Sequence, residues 1–385
     1  MKNIERLYSY LPKQQIDWEK IEKEILSPFV YDLAHTPQEP TWHKEGDVLT
    51  HTKMVCENLI RLDEYKALDT CHQSIVFLAC LFHDIGKITC TKEMNGQITS
   101  PNHSLKGSMR LREYLWKDLG LSGTKEYQQV RESICFLVRY HSVPSWKLDN
   151  KTMKRLIKIS LNQELTSLFS LKLLTILSKA DVLGRISRSK EEHLEHISMF
   201  IQMAKELDCY QKPFHFCNAY TKQQYFEKEN IWHDQSLYDP TWNGVILLCG
   251  LPGTGKDTYI CKHYKNTPVI SLDHIREELG VKPTDDQGKV ITLAIHRAKE
   301  FLRTKTPFIW NATNLTNMVR SKLLASFHDY QAHVKIIFLE TSYENNLIRN
   351  KSRQKVVDEK VIHQLLSKIN MPESYEAQEV EWIIV

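Results

Sequence analysis

Residues 245–258 read VILLCGLPGTGKDT, and this stretch restricts the fold more than any other. An apolar run from Val245 to Cys249 meets Gly250, and Gly255-Lys256 follows five residues later. The order is strand, glycine loop, lysine, helix start. Glycines let backbone N–H groups wrap a polyphosphate, the helix N-terminus favours its negative charge, and the lysine reaches the outer phosphates. Gly250, Gly253, Thr254, Gly255, Lys256, Asp257 and Thr258 are therefore the expected contacts for ATP or another nucleoside triphosphate with Mg²⁺. One position departs from the motif. Asp257 stands where a Mg²⁺-binding hydroxyl is expected, and Thr258 follows it.

A chain of 385 residues has room for two or three domains. With 42% apolar and 25% charged residues it reads as globular rather than disordered. The balance of 51 basic against 47 acidic residues is too mild to require a nucleic-acid partner and does not exclude a locally basic groove. Nine cysteines without a C-x-x-C pair point to free thiols in a reducing cytosol, so a cytoplasmic location is expected. The N-terminus MKNIERLYSYL lacks the apolar centre of a signal peptide, and no apolar run approaches a membrane span.

Periodicity divides the chain. Residues 1–208 read as an all-α domain: VLTHTKMVCENLIRL, SIVFLACLFHDIG, SLKGSMRLREYLWKDLG, VRESICFLVRYH and LTSLFSLKLLTILSKADVLG space apolar residues by three and four, with no alternating strand. Gly86, Gly120 and Gly184 fall near helix ends, where left-handed caps are expected. Residues 209–243 lose the helical rhythm but are rich in aromatics, which predicts an ordered connector packed on a domain. From 244 to 385, short apolar runs (VILLC, PVISL, PFIW, VKIIFLE, WIIV) alternate with helical segments, the pattern of an α/β domain with a parallel sheet.

The helical part carries a set of metal-ligand residue types. His83-Asp84 closes an apolar helix, His51 lies on the preceding helix, His103 and His141 on later ones, and Asp181 near the end of another. Imidazoles and carboxylates at helix ends suit divalent metals that keep positions open for water and phosphate. A single histidine among 17 is more often structural. An adjacent His-Asp pair in a buried helix end is harder to explain without a ligand, because burying both is expensive.

These segments resemble the HD phosphohydrolase superfamily, with its H…HD…D pattern. HKEGDVLTHTKMV, LACLFHDIGKIT, NHSLKGS, RYHSVP and SKADVLGR resemble, in order, the HD domain of bacterial CCA-adding enzymes. The resemblance implies a metal-dependent phosphatase and cyclic phosphodiesterase acting on RNA ends. It implies that His51, His83, Asp84 and Asp181 take one divalent transition metal ion and that His103 and His141 help a second. Lys87 and Arg185 would contact the phosphate; the alternative for both is an ordinary helix-end cation. His43 is within sequence reach of the leaving group, with a solvated loop histidine as the alternative.

Downstream of the glycine loop, PVISLDHIREEL places Asp273 after a strand and Arg276 one helical turn on. A carboxylate there suits a general base and an arginine a phosphate grip; a helix cap with an exposed ion pair fits the spacing equally. PFIWNATNLTNMVRSKLL, NLIRNKSRQKVVDEKVI and MPESYEAQEVEWIIV resemble the kinase domain of polynucleotide 5′-kinases. By that resemblance Asp273 deprotonates a 5′-hydroxyl, Arg276 grips the acceptor phosphate, and Arg349 and Arg353 belong to a lid over the donor phosphates. Asn311 ends its strand where an aspartate is common in related kinases, and Thr313 and Arg320 are open between acceptor contacts and a cap or surface role.

Together the two parts resemble the bacterial bifunctional HD–polynucleotide kinase enzymes of RNA repair. The expected substrates are RNA or DNA ends, with a 5′-OH phosphorylated and a 2′,3′-cyclic, 2′- or 3′-phosphate removed. No K-x-D-G ligase motif is present, which implies a separate ligase partner. Two alternatives stand beside this: a nucleoside or nucleotide kinase fused to a nucleotidase, and a non-enzymatic nucleotide-sensing regulator.

Overall fold

The computed structural model describes residues 3–12 and 14–385. The chain divides into two compact units, residues 1–121 with 126–214 and residues 122–125 with 215–385.

The first unit is helical. Helix Val48–Leu59 starts at Asp47, whose carboxylate accepts from Thr50 N at 2.8 Å, and buries Val48, Thr52, Val55 and Leu59 along one stripe. Helix Thr70–Phe82 is capped by Asp69 and buries every residue from Ser74 to Phe82. A helix apolar on all sides has to lie at the centre of its domain. Within the longer stretch Thr70–Cys90 an 18-residue window has a mean hydropathy of 1.2, but 78% of that window is buried inside the protein, as a core helix requires. Phe29, Phe82 and Tyr114 meet edge to face or tilted, with centroids 5.1–6.1 Å apart.

The structure corrects the glycine expectation in part. Only Gly120 of the three has a positive φ, +64°. Gly86 and Gly184 serve close packing instead. A Cβ at Gly184 would lie 2.8 Å from Val55 N, and one at Gly86 would lie 1.9 Å from the His103 carbonyl oxygen. A second correction is a small antiparallel hairpin within the helical unit, β1 (Lys92–Met94) with β2 (Gln97–Thr99). Its burial pattern is almost wholly exposed, so it carries no apolar alternation for the sequence to reveal.

The second unit contains a five-stranded parallel sheet in the order β4 (Val269–Ser271), β5 (Phe308–Asn311), β3 (Trp242–Cys249), β6 (Ala332–Glu340), β7 (Glu379–Ile384). β3 is central, pairing Leu248 with Asn311 and Cys249 with Phe338. The strand order reverses there, and in an open parallel sheet the crevice at such a switch point, beyond the carboxyl ends of the strands, is where ligands bind. The aromatic segment includes helix Ala219–Glu227, and Phe226 packs on Tyr375 at 5.6 Å within this unit.

Arg320 is neither an acceptor contact nor a surface residue. It is fully buried, donating to Glu376 Oε2 at 2.7 Å and Oε1 at 2.8 Å, and to the carbonyls of Asn314 and Asn370. It ties helix Asn317–His328 to the segment entering β7. Arg320→Ala is expected to cost about 3–5 kcal/mol, because Glu376 is left buried without its partner. Hydrogen exchange checks this: amide protection across β3–β7 should fall by that free energy.

Candidate functional sites

In the helical unit, the six sequence-predicted metal residues come together. His51, His83, Asp84, His141 and Asp181 are each 0–2% exposed, and the His103 side chain is 23% exposed. His51 Nε2 lies 3.1 Å from Asp181 Oδ1 and 3.8 Å from Asp84 Oδ2. His83 Nε2 lies 3.3 Å from Asp84 Oδ2 and 3.9 Å from Asp181 Oδ1. The other Asp84 oxygen faces His103 Nε2 at 3.3 Å and His141 Nε2 at 3.8 Å. Two ligand sets result, His51–His83–Asp181 and Asp84–His103–His141, with the potential ligand atoms of each set within 4.8 Å of one another. Asp84 lies between them, one oxygen toward each.

The histidines are oriented by their other nitrogen. Nδ1 of His83, His103 and His141 donates to the carbonyls of Cys80, Ser100 and Val138 at 2.8–2.9 Å. That fixes the neutral tautomer and leaves each Nε2 a lone pair aimed at the carboxylates. Lone pairs facing carboxylate oxygens repel unless a cation lies between them. His83 Nε2 and Asp84 Oδ1 are buried without a hydrogen-bond partner. The donor set, imidazole nitrogens with carboxylate oxygens, fits divalent transition metals.

The electrostatics agree for His103 and His141, whereas the carboxylates pull His83 the other way. Burial holds His103 low and, with His83 beside it, pushes His141 down to about 3, so both stay neutral. Burial also works against charge on His83, yet the Asp84 and Asp181 carboxylates raise it overall. Burial opposes ionised Asp84, but Lys87 and His83 hold it well below the usual carboxylate range; Arg185 and His51 do the same for Asp181. Lys87 Nζ is 2.7 Å from Asp84 Oδ2, and Arg185 pairs with Asp181. Both cations belong to the site and line a cavity of about 260 Å³ with Trp42, His43 and His103.

His43 is not a solvated loop histidine. Its side chain is 11% exposed, its Nδ1 lies 2.8 Å from Glu45 Oε1, and burial lowers its pKa to about 4. Glu45 Oε1 is also 2.8 Å from His51 Nδ1, close but not aligned as a hydrogen bond. Glu45 and Gln38, which accepts from Lys87 Nζ at 2.6 Å, were not singled out from the sequence. Neither has a spacing signature, since the loop carrying them is shaped by backbone bonds such as Gln38 N to Gly46 O and Lys44 N to Ile186 O.

In the second unit, β3 runs into Gly250, Gly253 and Gly255, with φ of +144°, +83° and +85°. A Cβ at Gly250 would lie 2.6 Å from the Leu339 carbonyl, so glycine is required there. Lys256 begins helix Lys256–His263 and folds back over the loop, donating to the carbonyls of Gly250 and Leu251 at 2.9 Å. Burial lowers its pKa to about 8. The Thr254 hydroxyl turns inward to Leu251 O at 2.9 Å, and its backbone N–H donates to the same carbonyl at 3.4 Å. Asp257 and Thr258 are exposed, and Asp257 Oδ1 accepts from Asn311 Nδ2 at 2.7 Å. Thr313 supplies the carbonyl that accepts from Gly250 N at 3.0 Å.

Asp273 and Arg276 lie on helix Leu272–Leu279 and pair with each other. The helix cap is Ser271, which removes the cap explanation for Asp273. Asp273 is 69% exposed, whereas Arg276 is also held by Gln287 at 2.7 Å. Arg349 stands in the last turn of helix Tyr343–Lys351, and a Cβ at Gly255 would lie 3.6 Å from its Nη1. Arg353, just beyond, is near enough to depress Lys256, while Asp257 and Asp273 act in the opposite sense. Asn346, on the same helix as Arg349, donates to Pro252 O at 2.8 Å and was missed from the sequence.

Residues 48–185 match the family model described as an HD domain, and residues 245–372 match the one described as an AAA domain. Over 120 residues, 31% of this chain, it is 31% identical to a protein named Multifunctional CCA protein from Psychromonas ingrahamii (strain DSM 17664 / CCUG 51855 / 37). The match covers 25% of that protein, so the chain spans about a quarter of the length of this relative. Among solved structures, a gluconokinase from Sinorhizobium meliloti 1021 is 16% identical over 37% of this chain and 83% of its own, with a TM-score of 0.29, too low to bear on substrate. The chain thus has a helical N-terminal HD domain and a C-terminal P-loop, kinase-like domain with a parallel sheet.

Gly86→Ala is expected to separate the two ligand sets, because the added methyl meets the His103 backbone. In a calorimetric Co²⁺ titration, the equivalent relying on His103 should weaken about tenfold or more while the one relying on His51, His83 and Asp181 persists.

Proposed function

We propose that the protein heals nucleic-acid ends, with RNA as the main substrate. Its HD domain removes a 2′,3′-cyclic, 2′- or 3′-phosphate, and its kinase-like domain phosphorylates a 5′-hydroxyl with a nucleoside triphosphate and Mg²⁺. The observation that carries it is the buried Asp84–Asp181 pair, ringed by histidine Nε2 atoms and flanked by Lys87 and Arg185. The resemblance to the HD domain of CCA-adding enzymes supports RNA, and the 31% identical relative is consistent with it.

At the HD site, bound divalent metals supply an activated water and charge for the phosphoryl oxygens. The chain's own residues do the rest. Lys87 and Arg185 present cationic groups at the cavity wall and draw the phosphate to the ligand sets. Their ion pairs to Asp84 and Asp181 keep both carboxylates ionised as ligands. Water adds to phosphorus and the bond to the ribose oxygen breaks, with a proton passing to that oxygen.

At the kinase site, Lys256 exchanges two loop carbonyls for the donor phosphates, whose negative charge favours its protonated form. Asp273 accepts the 5′-hydroxyl proton as the oxygen attacks the γ-phosphorus and the nucleoside diphosphate leaves. Arg276, held by Gln287, grips the acceptor's phosphate. Arg349 and Arg353 close over the donor, and a separate ligase joins the healed ends.

The test is an RNA with a 5′-OH and a 2′,3′-cyclic phosphate, incubated with NTP and a panel of divalent metals, with both ends mapped. Lys256→Ala and Asp273→Ala should each lower 5′ phosphorylation more than about a hundredfold and spare 3′-end hydrolysis, and Asp84→Ala should do the reverse. Any of the three variants abolishing both activities in a folded protein would sink the two-site model. Phosphorylation of free nucleosides in preference to the oligonucleotide would favour a small-molecule kinase instead.

A further inference from the structure

The helical unit exposes two tryptophans, Trp42 and Trp146, each 47% accessible. Tryptophan is highly buried on average. Between them lie two histidine rings and one backbone contact. Trp42 lines the cavity that also holds Lys87, His103 and Arg185. It meets His193 edge to face at 6.3 Å, and His193 meets His196 edge to face at 6.2 Å. His196 Nδ1 lies 3.2 Å from the carbonyl of Ser145, the residue before Trp146. The Arg155 guanidinium sits over the Trp146 ring at 5.4 Å, held in place by Asp149.

We propose that these rings form a stacking track for single-stranded RNA, leading away from the phosphate end bound at the HD site. This rests on the phosphohydrolase function proposed above and extends it from the terminal phosphate to the strand. Trp42 takes the terminal base beside the cavity, and Trp146 takes a base further along.

Three features favour a strand over a small ligand. The track extends beyond the cavity, so a lone nucleotide does not fill it. Base–aromatic stacking is sequence-tolerant, as an end-healing enzyme requires. The segment from Trp146 to Lys158 carries five cations, Lys147, Lys151, Lys154, Arg155 and Lys158, against one acid, Asp149, which suits a phosphodiester backbone. The Trp42 loop is also set in advance. Lys44 N bonds Ile186 O at 3.3 Å, Ile186 N bonds Glu45 Oε2 at 2.9 Å, and Ile98 N bonds Glu39 Oε2 at 2.9 Å. A pinned loop loses little entropy on binding. The segment that orients His141 by its Val138 bond continues into Trp146, so ligand set and track share one scaffold.

The test uses a ten-nucleotide RNA with fluorescein on its 5′ end, which blocks the kinase site. The 3′-hydroxyl form is titrated by anisotropy without NTP, and the 3′-phosphate form is used for hydrolysis beside p-nitrophenyl phosphate. Trp42→Ala and Trp146→Ala should each weaken RNA binding about tenfold, and Trp146→Phe should restore most of it. The ratio of kcat/KM for the RNA to that for p-nitrophenyl phosphate should fall by a similar factor. Binding within twofold of wild type for both alanine variants would overturn the track. So would an equal loss on both substrates, which marks a merely structural role. If the wild type hydrolyses neither phosphoester, the phosphohydrolase function itself fails; RNA hydrolysis with unchanged RNA affinity in the variants removes only the track.

Discussion

Asp84 and Asp181 are anions placed where water hardly reaches, and much of the helical unit is arranged around that fact. A buried carboxylate costs several kcal/mol unless it is paired and hydrogen-bonded. Here Lys87 and Arg185 each neutralise one carboxylate from the following turn, and four imidazoles turn their Nε2 atoms inward. Three of those imidazoles are held by backbone carbonyls, so most of the ligand geometry is set by the protein itself. Gly86 and Gly184 let the helices bearing the ligands approach closely enough for Asp84 to face both ligand sets. The local cost of the buried charges is offset by helix Thr70–Phe82, buried throughout from Ser74 to Phe82, which delivers His83-Asp84.

The second unit solves a different problem. A parallel sheet with its strand-order reversal at β3 brings the carboxyl ends of β3, β4 and β5 to one edge. The glycine loop, Asp273 and Asn311 follow or end those strands, so topology alone collects them. The loop is strained into positive φ at three glycines, and Lys256 satisfies its carbonyls until a phosphate replaces them. Asn311 donates to Asp257, so the carboxylate at the head of the helix is oriented from the strand end. Of this pair, the carboxylate therefore stands at the loop position and an uncharged amide at the strand end.

The two sites also differ in how much protein they need. The potential metal ligands converge from five separate segments, and three of the histidines are held by side-chain-to-backbone bonds. The nucleotide loop is almost self-contained, a single strand–loop–helix unit. Under the proposed function the two domains answer one need, because cleavage that leaves a 5′-hydroxyl and a cyclic phosphate calls for both repairs before ligation.

The sequence by itself determined the α-then-α/β order, the strand–loop–helix around Lys256, and the His and Asp residues that gather in the HD site. These are legible because periodicity, glycine spacing and an adjacent His-Asp pair are local signals. Only the tertiary structure decided the rest. Arg320 stays open between an acceptor contact and a surface cation until Glu376, 56 residues later, is seen to pair with it in the interior. Glu45, Gln38 and Asn346 carry no spacing signature, since their partners lie in distant segments or in a loop shaped by backbone bonds. Gly86 and Gly184 look like caps in one dimension and prove to be points of helix contact in three. The exposed hairpin at Lys92–Thr99 has no buried face, so no alternation announces it. Local order follows from the chain's own pattern; which distant groups satisfy a buried charge depends on packing that no short stretch encodes.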